Sequence, residues 1–263
     1  MSRVAHSVTA ALIIGIVSVG GFSAFAQPQQ SERIRATYEV TLGGLRLGQV
    51  LLTAVVEPAK YEIEAQGEFS LMRGILYRAK GKTSSAGFMT DVGPAPTYFT
   101  VEYEGREKRE TRQLNFDEEG VSEVTIAPRK RRGPKTIPVT ERQLNGVLDP
   151  LTAAFLAARP DCDQTVPVFD GKQRFDLVLT PKRTATLDDT APRQITSTAA
   201  VCRVRYKPIS GYNPGHAGVK YMTENKNMEL WVVSVPHARL SLPYRVSIAT
   251  PLGTGSATLT SIQ

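Results

Sequence analysis

A strict alternation of apolar and polar residues recurs along this chain and constrains its fold more than any other feature. From Tyr61 to Phe69, the odd positions are apolar or small and the even positions are polar. Successive side chains of a β-strand point to opposite faces, so this period of two predicts a half-buried strand. The same alternation recurs at four other places, and we interpret all of them as antiparallel strands with one solvated face: Thr97–Glu104, Phe175–Leu179, Cys202–Lys207 and Tyr244–Ala249.

Short turn sequences connect the strand-like segments. Gly43-Gly44 separates 34–42 from 45–57, and Asp170-Gly171 is a two-residue hairpin signal. A longer turn, Asp117–Gly120, joins two further segments. We count about ten strands in the order of a meander, and a twisted sheet of that size tends to curl. The predicted fold class is therefore mainly all-β: a curled antiparallel meander that forms an open or spiral β-barrel with one packed helix.

One segment has helical signals instead. Asp149 is a suitable N-cap and Pro150 fits the first helical position, while Leu151, Ala154, Phe155 and Ala158 form a stripe at helical spacing. We predict a helix over 149–159, ended by Pro160, that packs on the concave side of the sheet. A weaker signal suggests a short helix over 71–77, and the glycine-rich segment 209–218 is predicted to be a loop.

The N-terminus has the three parts of a secretory signal peptide. Arg3 opens a basic start, an apolar stretch covers 10–19, and Ala24-Phe25-Ala26 matches a small-x-small cleavage site. We predict a signal peptide over 1–26, and a single β-rich periplasmic domain over 27–263 without an integral membrane span after cleavage. The alternative is a retained membrane anchor, although the apolar stretch is shorter than the about 20 residues that a spanning helix needs.

The two cysteines fit an oxidising compartment. Cys162 and Cys202 both lie in the predicted mature chain, and a disulfide between them is the simplest prediction for an exported protein. A redox or nucleophilic thiol is the alternative. It would require an activating environment, and the sequence contains neither a C-x-x-C pair nor a histidine close to either cysteine.

The chain is basic, with a formal net charge of +7. On an exported protein, positive charge favours anionic lipid or cell-wall polymer over nucleic acid as a partner, although charge for solubility alone is an alternative. Five cations lie close together after Pro128 and are candidates for contact with an anionic surface: Arg129, Lys130, Arg131, Arg132 and Lys135. The other interpretation of this basic segment is a solvated hairpin tip.

No motif indicates an enzyme. Spacings typical of metal ligands are absent from the sequence, and so are phosphate-binding loops, dinucleotide glycine fingerprints and the nucleophile elbow of serine hydrolases. We therefore predict a non-enzymatic protein without metal or cofactor.

Several short motifs resemble those of a known family. The chain is similar to the bacterial domain-of-unknown-function 3108 family in five segments: 44–48 (GLRLG), 149–153 (DPLTA), 168–172 (VFDGK), 230–233 (LWVV) and 242–246 (LPYRV). The resemblance implies an exported, β-rich proteobacterial protein without an assigned reaction, and it brings no catalytic residues. The basic segment 129–135 is not part of the family pattern.

Two functional hypotheses follow from the sequence. The first is a cell-envelope protein that binds a lipid-like or other apolar ligand in a half-barrel cleft, with Leu151, Phe155 and Trp231 as candidate lining residues. The second is a structural or interaction protein for envelope integrity that acts through its surface and the basic segment. A third, weaker alternative is an enzyme that acts on cell-wall or lipid substrates. The sequence does not indicate an oligomeric state.

Overall fold

The computed structural model describes residues 31–71, 77–129, 133–155, 160–236 and 240–263. These residues contain thirteen strands, two α-helices and one 3₁₀ helix, Glu141–Leu144. The strands are β1 (Glu32–Leu42), β2 (Leu45–Val56), β3 (Lys60–Leu71), β4 (Tyr77–Thr90), β5 (Gly93–Gly105), β6 (Arg109–Phe116), β7 (Val121–Ala127), β8 (Gln164–Phe169), β9 (Arg174–Thr186), β10 (Thr198–Ser210), β11 (Met228–Val235), β12 (Leu240–Thr250) and β13 (Gly253–Ile262). The helices are α1 (Pro150–Phe155) and α2 (Ala217–Glu224).

All thirteen strands form one antiparallel sheet in the order β7-β6-β5-β4-β3-β2-β1-β13-β12-β11-β10-β9-β8. Strands that are consecutive in sequence pair with each other, except β7 and β8, and β1 also pairs with β13 in the middle of the sheet. The edges are therefore β7 and β8, which are joined by the segment that contains the 3₁₀ helix and α1. This architecture confirms the predicted fold class.

An ionic cluster brings the two ends of the open sheet together. Arg112 on β6 donates to Asp170 in the β8–β9 turn at 2.9 Å and to Glu110 at 2.9 Å. Lys172, from the same turn, donates to the other Glu110 oxygen at 2.5 Å. Burial of Glu110 opposes its ionisation, but the hydrogen bonds from Lys172 and Arg112 outweigh it and lower the pKa of Glu110 to about 2.

The segment between the two edges also fills the space between them. Asn145 forms an antiparallel bridge with Gly120, and Leu148 forms a parallel bridge with Val168 on β8. Helix α1 follows directly and contacts β4, β5, β8 and β12. It therefore lies between the two halves of the curled sheet, which agrees with the predicted packing on the concave side.

Two hydrophobic clusters form the core. The larger cluster draws on both halves of the sheet and includes Ile63, Phe155 and Leu259. The smaller cluster surrounds Cys162 and Cys202, which form the predicted disulfide with Cα atoms 5.3 Å apart. Strands β8, β10 and β11 contribute to both clusters, which requires apolar residues on both of their faces.

Several local predictions were incomplete or wrong. The count of about ten strands was too low, and β4 in particular has no clear apolar alternation. The Asp170-Gly171 hairpin has a four-residue connection, 170–173, because Asp170 accepts from the backbone N–H groups of Lys172 and Gln173. The predicted loop 209–218 is partly regular: β10 extends to Ser210, which is fully buried, and α2 begins at Ala217.

The predicted helix is confirmed for Pro150–Phe155, whereas 156–159 lie outside the described residues. Its predicted stripe was partly wrong. Ala154 is exposed, and Thr152 and Ala153 are buried as well as Leu151 and Phe155. The reason is that the helix is enclosed on several sides rather than packed on a single face. The weak helix signal over 71–77 lies almost entirely outside the described residues.

Candidate ligand groove

A large groove crosses the outer face of β1–β6 near the hairpin that joins β1 to β2. Its volume is about 1050 Å³. Charged side chains from five strands supply much of its lining: Arg46, Glu68, Lys80, Lys82, Glu102, Glu104 and Arg109. Leu51 adds an apolar side chain that is 43% exposed. A concavity of this size with mixed lining suits a small organic ligand.

The alternation of side chains along each strand determines that these charged side chains point to the outer face. The odd positions Ile63 and Ala65 of β3 are buried, so the even positions Gln66 and Glu68 point to the opposite, outer face. The register then aligns the outer positions of neighbouring strands, with Glu68 opposite Lys80 and Lys80 opposite Glu104. The result is a row of alternating charges across the groove.

Ion pairs within the groove neutralise only some of these charged side chains. Glu104 lies 3.0 Å from Arg109 and 3.3 Å from Lys80, and hydrogen bonds from Arg109 and Lys80 lower the pKa of Glu104. Lys82 is exposed and faces Glu102 in the register, but it forms no ion pair within the described residues. Lys82 therefore offers a free cation inside the groove.

Glycines line the groove with backbone atoms. A Cβ atom at Gly48 would lie 1.9 Å from the carbonyl oxygen of Glu68, so no other residue fits there without a shift of the backbone. Gly67 and Gly81 are opposite each other in the register of β3 and β4. Glycine in a strand often marks a site where another group approaches the backbone closely.

The three predicted lining residues lie elsewhere. Leu151 is 9% exposed and Phe155 is 2% exposed, and both are members of the larger core cluster. Trp231 packs against that cluster, and the guanidinium groups of Arg183 and Arg245 lie 4.9 Å and 5.2 Å from its ring centroid. Leu151, Phe155 and Trp231 thus belong to one region, but none of them lines the groove.

A buried polar cluster holds α1 against the sheet. Asp149 caps the helix by accepting from the N–H groups of Leu151 and Thr152, and its second oxygen accepts from Ser85 on β4 at 2.9 Å. The Thr152 hydroxyl bonds to those of Ser85 and Tyr61. Burial raises the pKa of Asp149 and raises that of Tyr61 to about 12. Because all four side chains are buried, we assign this cluster a structural role.

The ends of the basic segment lie on the surface. Arg129 and Lys135 are exposed, whereas Lys130, Arg131 and Arg132 lie outside the described residues. Among the described residues, no group of three or more His, Cys, Asp or Glu side chains is arranged to hold a metal ion. No helix in the described part of the chain is long and apolar enough to cross a membrane.

Sequence reasoning missed the groove. Its residues occupy the polar positions of the alternating strands, and such positions usually form an ordinary solvated face. One signal was present: the glycines at 48, 67 and 81 interrupt three consecutive strands, which is unusual for strand interiors.

Comparison with known proteins agrees with the architecture. The family model described as "Protein of unknown function (DUF3108)" matches residues 37–260, which is most of the chain. The chain belongs to this DUF3108 family. The match confirms the family suspected from the short motifs, and it covers both the groove strands and α1.

A solved structure has a similar fold. It is a β-barrel-like protein of domain of unknown function DUF1849 from Brucella abortus, with a TM-score of 0.51 and 9% sequence identity. The alignment covers 88% of this DUF3108 chain and 97% of the other. At this identity the similarity concerns the fold alone. No curated protein matches the chain in sequence.

Proposed function

We propose that this DUF3108 protein is an exported, non-enzymatic protein of the cell envelope that binds a lipid-like ligand in the groove across β1–β6. The observation that carries the proposal is the groove itself, about 1050 Å³ in volume with exposed Leu51 among charged side chains. Leu151 and Phe155 are packed into the core, so the groove is a better location for a ligand than the space beside α1.

The lining favours an amphipathic ligand over a purely apolar one. Leu51 and the backbone at the glycines provide contacts for a hydrocarbon portion, whereas Lys82 provides an unpaired cation for an anionic head group. Glu102 faces Lys82 in the register, so a bound anion would compete with Glu102 for this cation. We therefore expect the head group to lie near Lys82 and Arg46, and the apolar portion to lie near Leu51.

Export and periplasmic location are part of the same proposal. The predicted signal peptide over 1–26 supports them, and the Cys162–Cys202 disulfide is typical of proteins from oxidising compartments.

Native mass spectrometry of protein purified from a bacterial periplasm tests the proposal. We expect an added mass that disappears on denaturation, and fragmentation of that mass should give a lipid-like molecule. Leu51→Glu and Lys82→Glu should each reduce its occupancy by about tenfold or more.

Matched controls separate the groove from general surface effects. Leu252→Glu changes a leucine that is 77% exposed on the β12–β13 hairpin, and Lys220→Glu changes an exposed lysine on α2. Both controls should retain the added mass. Purified protein without any added mass, or equal loss in groove and control variants, would reject the proposal.

The exposure of Arg129 and Lys135 favours a second candidate function, contact with an anionic envelope surface through the basic segment. Each cation near an anionic lipid layer contributes about 1 kcal/mol to the free energy of binding. Replacing Arg129, Lys130, Arg131 and Arg132 with Ser should abolish sedimentation with anionic vesicles. Unchanged sedimentation would exclude this role.

A further inference from the structure

Strand β7 is unusually exposed for a member of a large sheet. Residues Ser122, Glu123, Val124 and Thr125 are all exposed, although consecutive strand residues point to opposite faces. Both faces of the middle of β7 are therefore in contact with solvent. Val124 is among the exposed large apolar side chains, at 38%.

One edge of β7 is also unpaired over most of its length. Its inner edge pairs with β6 from Val121 to Ala127. On its outer edge, Asn145 bridges Gly120 and the Gly146 N–H donates to the Glu119 carbonyl, so the segment 145–146 covers the two positions before the strand. Within the described residues, no strand pairs with the outer edge of Val121–Ala127. At the other end of the sheet, by contrast, Leu148 covers β8 with two backbone hydrogen bonds.

The residue types of β7 do not protect this edge, although its ladder with β6 has a bulge at Ser122. Exposed edges are usually blocked by lysine, proline, a bulge or a very short strand, because free N–H and C=O groups pair with other chains. The seven residues Val121–Ala127 contain neither lysine nor proline, and four of them are Val, Ile or Thr, which favour strands. An edge of this kind is suited to accept another strand.

We propose that the occupant is a second copy of this chain, with β7 paired antiparallel to β7 of the other copy about a two-fold axis at Val124. In this register Val124 lies opposite its own counterpart and Glu123 lies opposite Thr125. Two-fold self-pairing is the commonest closed arrangement for identical subunits and adds no further free edge. Two sheets would become one continuous sheet through the edges that each copy leaves open.

The charges at the ends of β7 favour this arrangement. Glu119 lies just before the strand and Arg129 just after it, and both are exposed and without an ion-pair partner among the described residues. Antiparallel pairing centred on Val124 brings the end of β7 that carries Glu119 toward the end of the other copy's β7 that carries Arg129, so opposite charges approach each other at both ends. A register centred on Glu123 would instead place two glutamates directly opposite each other, which is destabilising.

A cysteine crosslinking experiment tests both the pairing and the register. The described residues include no free cysteine, so a single introduced cysteine is a clean probe. Directly opposed residues have Cβ atoms about 5 Å apart. Val124→Cys in the full chain should therefore give a covalent dimer on mild oxidation, with at least about fivefold more dimer than Val246→Cys, a control at an exposed valine on β12.

Charge variants and sedimentation give an independent test. Analytical ultracentrifugation of the wild-type protein should show a monomer–dimer equilibrium over about 1 to 100 µM. Glu119→Arg or Arg129→Glu alone should weaken the dimer, and the two together should restore it. Monomeric protein throughout this range, or crosslinking of Val246→Cys equal to that of Val124→Cys, would overturn the proposal.

Discussion

At the scale of the single residue, Glu110 shows how a buried charge can be stabilised in the ionic cluster that joins the two ends of the sheet. Its side chain is 4% exposed, yet it accepts from both Lys172 and Arg112. Replacing Glu110 with Gln should lower the free energy of unfolding by about 2 kcal/mol at neutral pH, because a neutral amide leaves Lys172 without its carboxylate. Urea unfolding followed by circular dichroism measures this difference.

The destabilisation caused by Glu110→Gln should decrease as the pH falls. The pKa of Glu110 is lowered from 4.5 to about 2 in the folded protein. The ionised form of Glu110 therefore contributes fully to the free energy of unfolding above the pKa of the unfolded state. This contribution disappears as the pH falls through the pKa of the folded state. The stability difference between wild type and Glu110→Gln should thus shrink below about pH 4.

A control at the surface separates burial from charge. Glu104→Gln removes an acid that also accepts from a lysine and an arginine, but its side chain is 40% exposed and solvent screens its ion pairs. We expect its unfolding midpoint to remain close to that of the wild type. Equal destabilisation by Glu104→Gln and Glu110→Gln would contradict the stabilising role assigned to the buried ionic cluster around Glu110.

At the scale of the element, two glycines of the groove strands should respond differently to the same substitution. A Cβ atom at Gly48 would lie 1.9 Å from the Glu68 carbonyl, whereas one at Gly81 would lie 3.4 Å from the Glu102 carbonyl. Gly48→Ala should lower the free energy of unfolding by about 3 kcal/mol, since β2 and β3 must separate. Gly81→Ala should change it by less than about 1 kcal/mol. Similar midpoints for the two variants in thermal unfolding would disprove this explanation.

The elements also show what sequence could and could not predict. Alternation predicted most strands, because a sheet with one buried face repeats every two residues. It missed β4, whose inner positions include Ala79 and Ser85. Ser85 is small because α1 lies against it, and its hydroxyl bonds to Thr152 and Asp149 of the helix segment. Small and polar inner residues carry no apolar signal, although their position is set by packing.

The groove was not predictable for a related reason. Its side chains, such as Lys80 and Glu102, look like any solvated strand face in the sequence. The groove is formed by side chains from six strands, and which of them come together depends on pairing between residues far apart in the chain. Helix α2 was missed as well, because its short sequence includes Gly218 and follows three turn-forming residues.

At the scale of the whole molecule, the disulfide and the only tryptophan both lie in the half of the sheet formed by β8–β12. The pairing of β1 with β13 joins this half to the groove strands without a break. Replacing Cys162 and Cys202 together with Ala should lower the free energy of unfolding by about 3 kcal/mol, because the unfolded chain regains the freedom of the closed loop. The continuous sheet should still unfold as one cooperative unit.

Two probes with different locations test this cooperativity. Trp231 fluorescence reports on β11, next to the disulfide, whereas far-ultraviolet circular dichroism reports on all thirteen strands. In the double variant both signals should shift to the same lower urea concentration and should remain coincident. If fluorescence changed first and circular dichroism retained a second transition, the groove strands would be an independent unit. The β1–β13 ladder would then not couple the two halves, and ligand binding in the groove would survive loss of the disulfide half.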